Sequence, residues 1–452
     1  MTEALILGGG VAGLTAAIHV LERGYRPLVL EAAPTPGGRV RSFVDPHTGE
    51  ELDNGPHLLL GACQESLALL ERLGSRSQLW QSDRMRIPFW TPAAGWYALD
   101  CPDWPTPWHL LAGLHRMPEL TLGEKGLVLA LGWHLARGIP PRPGQTVMHW
   151  LQERRQTTRL LHSLWEPLCL AIMNEPPASA DAGLFMTVLR QVMAGKRGAG
   201  QLFISKVPLS RLLAEPACDF IQRQGGEVRC RSAVRQLIRQ GDRVTAVVTA
   251  AGVLPVQGPV IAALPHHVLM RLIPDWDPGW RVTPAYAPIV SVHLRWPLPG
   301  RLPEPLVGLP AGVCHWLFDR ALLAGDAELA PARISAVISG AYREVHWSTL
   351  RLLDMAYQAT VALVPALGGL RVVATRDAKK GNQGLVLGRV VREWRATLAP
   401  WPDLVASRPG PKTPWRNLFL AGDWTQTGLP ATIESAVCSG KTAANFPEQI
   451  PF

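Results

Sequence analysis

The chain has 452 residues, enough for a large core in two or three domains, and its 47% apolar and 18% charged residues exclude a disordered protein. Formal net charge is +9, yet only seven of the 45 basic residues are Lys and no compact basic run occurs, which argues against a nucleic-acid partner; the Arg excess is either a compositional bias or an attraction to anionic lipid headgroups. Seven scattered Cys without a C-x-x-C pair exclude a disulfide framework and a zinc site, so reduced thiols in a cytoplasmic protein and no metal are expected.

Glu3 runs directly into an apolar stretch, so no signal peptide is expected. Ala4 to Leu7 reads as a parallel strand buried on both faces. Gly8, Gly10 and Gly13 fit G-x-G-x-x-G, and Leu14, Ile18 and Leu21 mark one face of a helix that Gly24 caps. Leu28 to Leu30 is the second strand, ending at Glu31. In such a unit the glycines permit a tight turn and close approach to a pyrophosphate, while Val11, Ala12 and Gly13 open a helix whose free N–H groups favour an anion. Glu31 suits an adenosine ribose and would repel a 2′-phosphate.

Pro36 to Ser42 adds a second glycine pair, Gly37 and Gly38, with Arg39 placed to set a planar cation beside a pyrophosphate. Leu52 to His57 forms another tight turn through Gly55 and Pro56. Between residues 75 and 195 the texture changes. Trp80, Trp90, Trp96, Trp104 and Trp108 punctuate a Pro-rich stretch, helical patterns follow, and the segment reads as a mostly helical insertion. These tryptophans either pack ordinarily or line a greasy tunnel or membrane interface. The longest apolar run, Leu127 to Ala136, is short of the roughly 20 residues of a membrane span and reads as a buried helix. Thr146 is placed to cap a helix, and Pro167 to kink the apolar face of Leu160 to Leu168.

Strand patterns return from Gln201. Glu227 to Val234 and Arg243 to Thr249 alternate, with Gly241-Asp242 as the turn between strands, and Val260 to Leu264 is apolar. In a further segment, Ile289 to Arg295 alternates, Arg333 to Gly340 is a strand, and Ser348 caps a helix. Leu418 to Leu420 is a buried strand ending at Gly422-Asp423, and a loop leads through Ala431, Thr432 and Ile433 into a last helix.

The glycine fingerprint, the ribose acid, Gly-Gly-Arg, the D-x-G turn and the C-terminal Gly-Asp resemble the FAD-containing amine oxidase and phytoene desaturase superfamily. The resemblance covers essentially the whole chain. It implies an α/β protein: a discontinuous Rossmann-like FAD-binding domain (1–74, 196–270, 401–452) interleaved with an α+β substrate domain (75–195, 271–400). It also implies that Asp423 holds the ribityl chain, that Ala431, Thr432 and Ile433 face the flavin ring edge, and that Val234 contacts adenine through its backbone. Covalent relatives carry a flavin-linking Cys before the last helix; positions 424–430 have none, so noncovalent FAD is expected.

Two stretches, Leu164 to Ala171 with Asn174 and Gly422 to Val437, resemble the hydroxysqualene dehydroxylase branch. That resemblance implies reductive loss of water from an apolar isoprenoid alcohol, using an unidentified electron donor, in the cytoplasm and at the inner face of a membrane if a peripheral contact exists. Hydroxide leaves poorly, so a general acid is expected. Glu166, between Trp165 and Pro167, is the first candidate if apolar surroundings keep it protonated. His57 is the second; each is alternatively a structural residue. Two other readings stay open: an oxidative desaturase or amine-type oxidase, and a non-catalytic prenyl-lipid carrier.

Overall fold

Three distant stretches of chain build one parallel sheet. In the computed structural model, which describes residues 2–447 except 103, 105–107, 116, 118–119, 194–196, 281, 311 and 379–383, β1 (Glu3–Leu7) lies between β2 (Arg26–Leu30) and the Val260–Ala262 strand. Glu227–Arg229 extends the sheet beyond β2, and Leu418–Leu420 extends it at the other edge. The expected boundary at 195–196 lies outside the described residues.

All but the first residue of β1 and of β2 are buried, because layers cover both faces. Helix α1 (Val11–Glu22) and the helix Ile433–Ala444 cover one face. An antiparallel meander containing Val234–Gln240 and Arg243–Thr249 covers the other, with Trp415 and Trp424. The two helices touch closely: a Cβ on Gly440 would lie 2.3 Å from the Ala12 carbonyl oxygen. β3 (Ser42–Val44) and β4 (Glu51–Asp53) pair antiparallel and carry the chain from Arg39 to the Asp53–His57 turn.

A mixed eight-stranded sheet forms the second body, with Tyr286–Pro299 between Val386–Leu398 and Pro331–Ile338. Val290, Val292 and Leu294 pack against Leu352, Leu353 and Ala356 of the helix that Ser348 caps, Thr349–Leu363. Ser291 and His293 point the other way, and they are buried too, because that face meets the Asp53–His57 turn. His293 Nε2 donates to the Asp53 carbonyl (3.1 Å), and its Nδ1 accepts from Ser335 Oγ (2.7 Å).

Several local expectations needed correction. Between residues 79 and 101 the elements are strands: Leu79–Gln81 joins a small sheet, and the hairpin Met85–Thr91/Gly95–Cys101 forms the edge of the large sheet. After the short 3-10 turn Arg76–Gln78, the helices of this segment begin at Trp108. Glu227 to Val234 is not one strand; its first residues extend the parallel sheet, and the hairpin partner of Arg243–Thr249 is Val234–Gln240. Leu127 to Ala136 belongs to a helix, Leu122–Ala136, that is only one-sided in its burial: Leu131 and Leu135 are buried while Trp133 is 58% exposed. Thr146 caps its helix as expected, by accepting from His149 N. Pro167 sits at the start of Glu166–Met173, just after a π-helical turn at Leu161–Trp165. No helix among the described residues is long and apolar enough to cross a membrane.

Candidate functional site

The glycine turn after β1 brings two backbone loops together. Gly37 N donates to Gly9 O (2.8 Å), and Gly38 stacks so closely on Gly10 that its Cβ would lie 3.3 Å from Gly10 Cα. A Cβ on Gly13 would lie 1.9 Å from the Gly8 carbonyl oxygen, so only glycine lets α1 start this near the strand. Above Gly10 there is open space, and no side chain caps α1. The N–H groups of Val11, Ala12 and Gly13 therefore point into a gap as an uncompensated partial positive charge.

Glu31 folds back over this turn. Its Oε2 accepts from Gly9 N and its Oε1 from Ala33 N, both at 2.7 Å. Ser232 N donates to Glu31 O (2.7 Å), which brings the chain leading to Val234 alongside the end of β2.

Arg39 ties the pieces together. Its Nη2 donates to Asp423 Oδ1 (2.6 Å) and its Nη1 to Ala396 O of the large sheet (2.8 Å). The pair is asymmetric: the Arg39 side chain is 39% exposed and the Asp423 side chain 7%. Asp423 thus forms a floor, and Arg39 lies over it at the edge of the gap. Gly10, Arg39 and Asp423, from opposite ends of the chain, share one neighbourhood.

Beyond Asp423, Ala431 is buried and Thr432 caps the last helix by accepting from Ser435 N. Glu434 points backward: its carboxylate accepts from Glu65 N, Ser66 N and Ser66 Oγ at 2.6–2.9 Å, capping helix α2 (Gln64–Arg72). This fixes the entry angle of the last helix.

At the D-x-G turn, Gly55 packs against Ser291, Pro56 is half-buried, and His57 Nδ1 donates to Gly55 O (2.8 Å). Burial pushes the His57 imidazole below its usual value, so it is neutral near pH 7. With Nδ1 carrying the proton, Nε2 is the acceptor nitrogen and has no protein partner among the described residues.

Glu166 requires a correction. It is not enclosed by apolar groups: its carboxylate meets His162 Nδ1 at 2.8 Å, and the two side chains are 34% and 64% exposed. Trp165 is instead buried and donates its indole N–H to Gln156 Oε1 (2.9 Å). Consecutive helical residues project about 100° apart, so apolar sequence neighbours did not become spatial ones.

Two features escaped the sequence reading, and so did the role of a third residue. Arg408, buried, donates from Nη1 to Leu429 O and from Nη2 to Asp423 O, each 2.6 Å, and staples the loop that presents Asp423. Tyr286 OH meets His266 Nδ1 (2.5 Å) and His267 Nδ1 (3.2 Å), and Arg395 Nη1 meets His267 Nε2 (2.9 Å). Burial pushes the Tyr286 phenol up to about 12, with Asp423 adding to the rise and Arg39 opposing it. Asn174 adopts a left-handed conformation (φ 52°) at a helix end. It donates to Ala287 O (3.1 Å) and Thr397 Oγ1 (2.9 Å) and accepts from Gly340 N (2.7 Å), so it stitches that helix to three strands or turns of the large sheet. The sequence singled out Asn174 but not what it does.

An uncapped helix start over an open glycine turn, an arginine at its rim and a buried acid below suit a ligand with a phosphate-bearing middle and a hydroxylated chain. Comparison with known proteins agrees. The family model described as flavin-containing amine oxidoreductase matches residues 11–445. The hydroxysqualene dehydroxylase of Rhodopseudomonas palustris is 32% identical over 98% of this chain and 97% of its own. The 15-cis-phytoene desaturase of Synechococcus elongatus is 23% identical, over 97% of this chain and 94% of its own. The solved structure of wild-type putrescine oxidase bound to putrescine superposes with a TM-score of 0.66 at 14% identity, covering 98% of both chains.

Proposed function

The chain belongs to the flavin-containing amine oxidoreductase family, and from that premise we propose that it is a hydroxysqualene dehydroxylase, reducing an allylic isoprenoid alcohol to the hydrocarbon with loss of water. The observation that carries this reading is the 32% identity to a dehydroxylase over nearly the full length of both chains, against 23% for a phytoene desaturase.

FAD held noncovalently would, in its reduced form, supply the hydride for this reaction. The residues we assign to it are Gly8, Gly10, Val11, Ala12, Gly13, Gly38 and Arg39 for the pyrophosphate, Glu31 and Val234 for the adenosine end, Gly422 and Asp423 for the ribityl chain, and Gly55, Pro56, Ala431, Thr432 and Ile433 for the ring. Support comes from the chemistry of the donor set: backbone N–H groups and Arg39 answer phosphate charge, and Asp423 accepts hydroxyl hydrogens. The discontinuous domain division follows the same assignment.

Loss of water needs a proton at the leaving oxygen. We assign its delivery to His57. A lowered imidazole is rarely charged at pH 7, but once charged it is a stronger acid than free imidazolium. Gly55 O holds Nδ1, which leaves Nε2 to carry and donate the proton. Glu166, open to solvent and paired with His162, no longer suits that role. A peripheral membrane contact, which would let an apolar substrate enter without crossing water, is supported by Trp104, Trp108 and Trp133, each 58–60% exposed, the last two on separate helices. The electron donor stays unassigned.

The test is anaerobic mixing of the photoreduced, FAD-loaded protein with hydroxysqualene. Return of oxidised-flavin absorbance with formation of squalene supports the reading. Bleaching of oxidised flavin by a phytoene-type hydrocarbon or by an amine, with no effect of the alcohol on reduced flavin, replaces it with an oxidative desaturase or an amine-type oxidase.

A further inference from the structure

On the large sheet, beside the β3–β4 connection, four arginines converge. Arg295 and Arg333 are direct cross-strand partners, and Arg389 stands opposite His293, one step along the same face. Arg320 reaches in from the next strand's end. Like charges directly opposite one another destabilise a sheet. Three acids offset part of this: Glu50 pairs with Arg320 and with Arg333 (3.5 Å), Asp326 pairs with Arg333, and Asp45 lies 3.8 Å from Arg389. The Arg295 side chain has no ion-pair or hydrogen-bond partner among the described residues. The buried Nε atoms of Arg320 and Arg389 also lack a hydrogen-bond acceptor.

These groups line a hollow. An outer cavity of about 360 Å³, open to solvent, is walled by Thr48, Gly49, Glu50, Arg295, Asp326 and Arg333. Behind it lies an inner pocket of about 10 Å³, room for roughly one oxygen-sized atom, walled by His293, Arg295, Arg320, Thr375 and Arg389. Thr48, Glu50 and Arg295 belong to both walls, so the two spaces adjoin.

We propose that this hollow is an oxyanion site, taking a phosphate-bearing small molecule or lipid headgroup with one oxygen in the inner pocket and Arg295 as its principal counter-charge. A bound dianion relieves the Arg295–Arg333 opposition and supplies the acceptors that the arginine Nε groups lack. The low imidazole value of His293, pushed down to about 3 by burial and then by Arg320 and Arg389, reflects the same positive field. The ligand would also touch the β3–β4 connection, which runs between Arg39 and the Asp53–His57 turn.

The experiment uses FAD-loaded protein, so that the flavin site is filled, and titrates inorganic phosphate by calorimetry at matched chloride ionic strength. Wild type binds, and Arg295→Gln, which removes no internal ion pair, binds about ten-fold more weakly with flavin absorbance and turnover unchanged. A parallel arm compares sedimentation with phosphatidic acid and phosphatidylcholine vesicles. Arg295-dependent binding of phosphate identifies a soluble ligand class; Arg295-dependent binding of phosphatidic acid alone identifies a headgroup. Absence of Arg295 dependence in both arms overturns the proposal.

Discussion

Replacing Arg39 by Met separates what this residue does for the fold from what it does for the cofactor. The substitution keeps most of the side-chain volume but removes the donors to Asp423 Oδ1 (2.6 Å) and Ala396 O (2.8 Å). It leaves a carboxylate that is 7% exposed without its cation. Breaking a fully buried pair costs about 3–5 kcal/mol. Arg39 is 39% exposed, so solvent screens much of the interaction, and about 2 kcal/mol is the better expectation. Unfolding entropy of about 2.1 cal/mol/K per residue, over 452 residues, converts this to a fall of roughly 2 °C in the Tm of the FAD-free protein. The Arg39→Met/Asp423→Asn double variant removes the orphaned charge and recovers most of that loss. FAD affinity behaves differently. It falls at least about ten-fold in the single variant and is not recovered in the double, because the phosphate has still lost its cation and the carboxylate assigned to the ribityl chain is gone as well. Differential scanning fluorimetry of FAD-free protein and fluorescence titration of FAD measure the two quantities. A double variant that regains cofactor affinity together with stability would refute the assignment of Arg39 to the pyrophosphate.

Asn174→Leu discards three hydrogen bonds and puts a branched side chain at φ 52°, so a loss of about 3–5 kcal/mol is expected in urea unfolding, with Asn174→Gly losing less. Gly440→Ala forces a methyl group to within 2.3 Å of Ala12 O; a destabilisation of about 1–3 kcal/mol is expected, with weaker FAD binding, because Ala12 belongs to the anion-facing turn of α1. Native His293 resists protonation down to about pH 3, whereas the unfolded chain takes up its proton near 6.5, so acidification costs the fold up to about 1.4 kcal/mol per pH unit between those values. Urea midpoints at pH 7 and pH 5 should therefore differ less in His293→Gln than in wild type. If His57 is the acid, turnover rises as pH falls toward its lowered value and this dependence disappears in His57→Gln; Glu166→Gln stays within about two-fold of wild type.

What could be read from the sequence was what is local. The β1–α1–β2 unit announces itself because its glycine spacing, apolar strand and helix face are short-range consequences of one turn. Arg39 was legible locally as a cation beside a pyrophosphate, but Asp423 only through resemblance, and their pairing across 384 positions was not legible at all. Arg408 has no local signature: its hydrogen bonds go to carbonyls whose positions are set by a loop that follows it. The Met85–Cys101 strands were hidden by Trp and Pro, which break helical periodicity without declaring a hairpin. Glu166 shows the opposite error, in which neighbours along the chain were read as neighbours in space.

The clasp between α1, the Glu434 cap on α2 and the Leu418–Leu420 strand has a consequence for synthesis. The first sixty residues emerge with an apolar α1 surface whose cover, the helix Ile433–Ala444, is translated only after the whole of the large sheet. Until then the nascent parallel sheet lacks its final edge, and sticky surface must be sheltered through most of elongation. Stalled chains ending before residue 418 should therefore be degraded by added protease across their first segment, while release of the full chain renders that segment resistant.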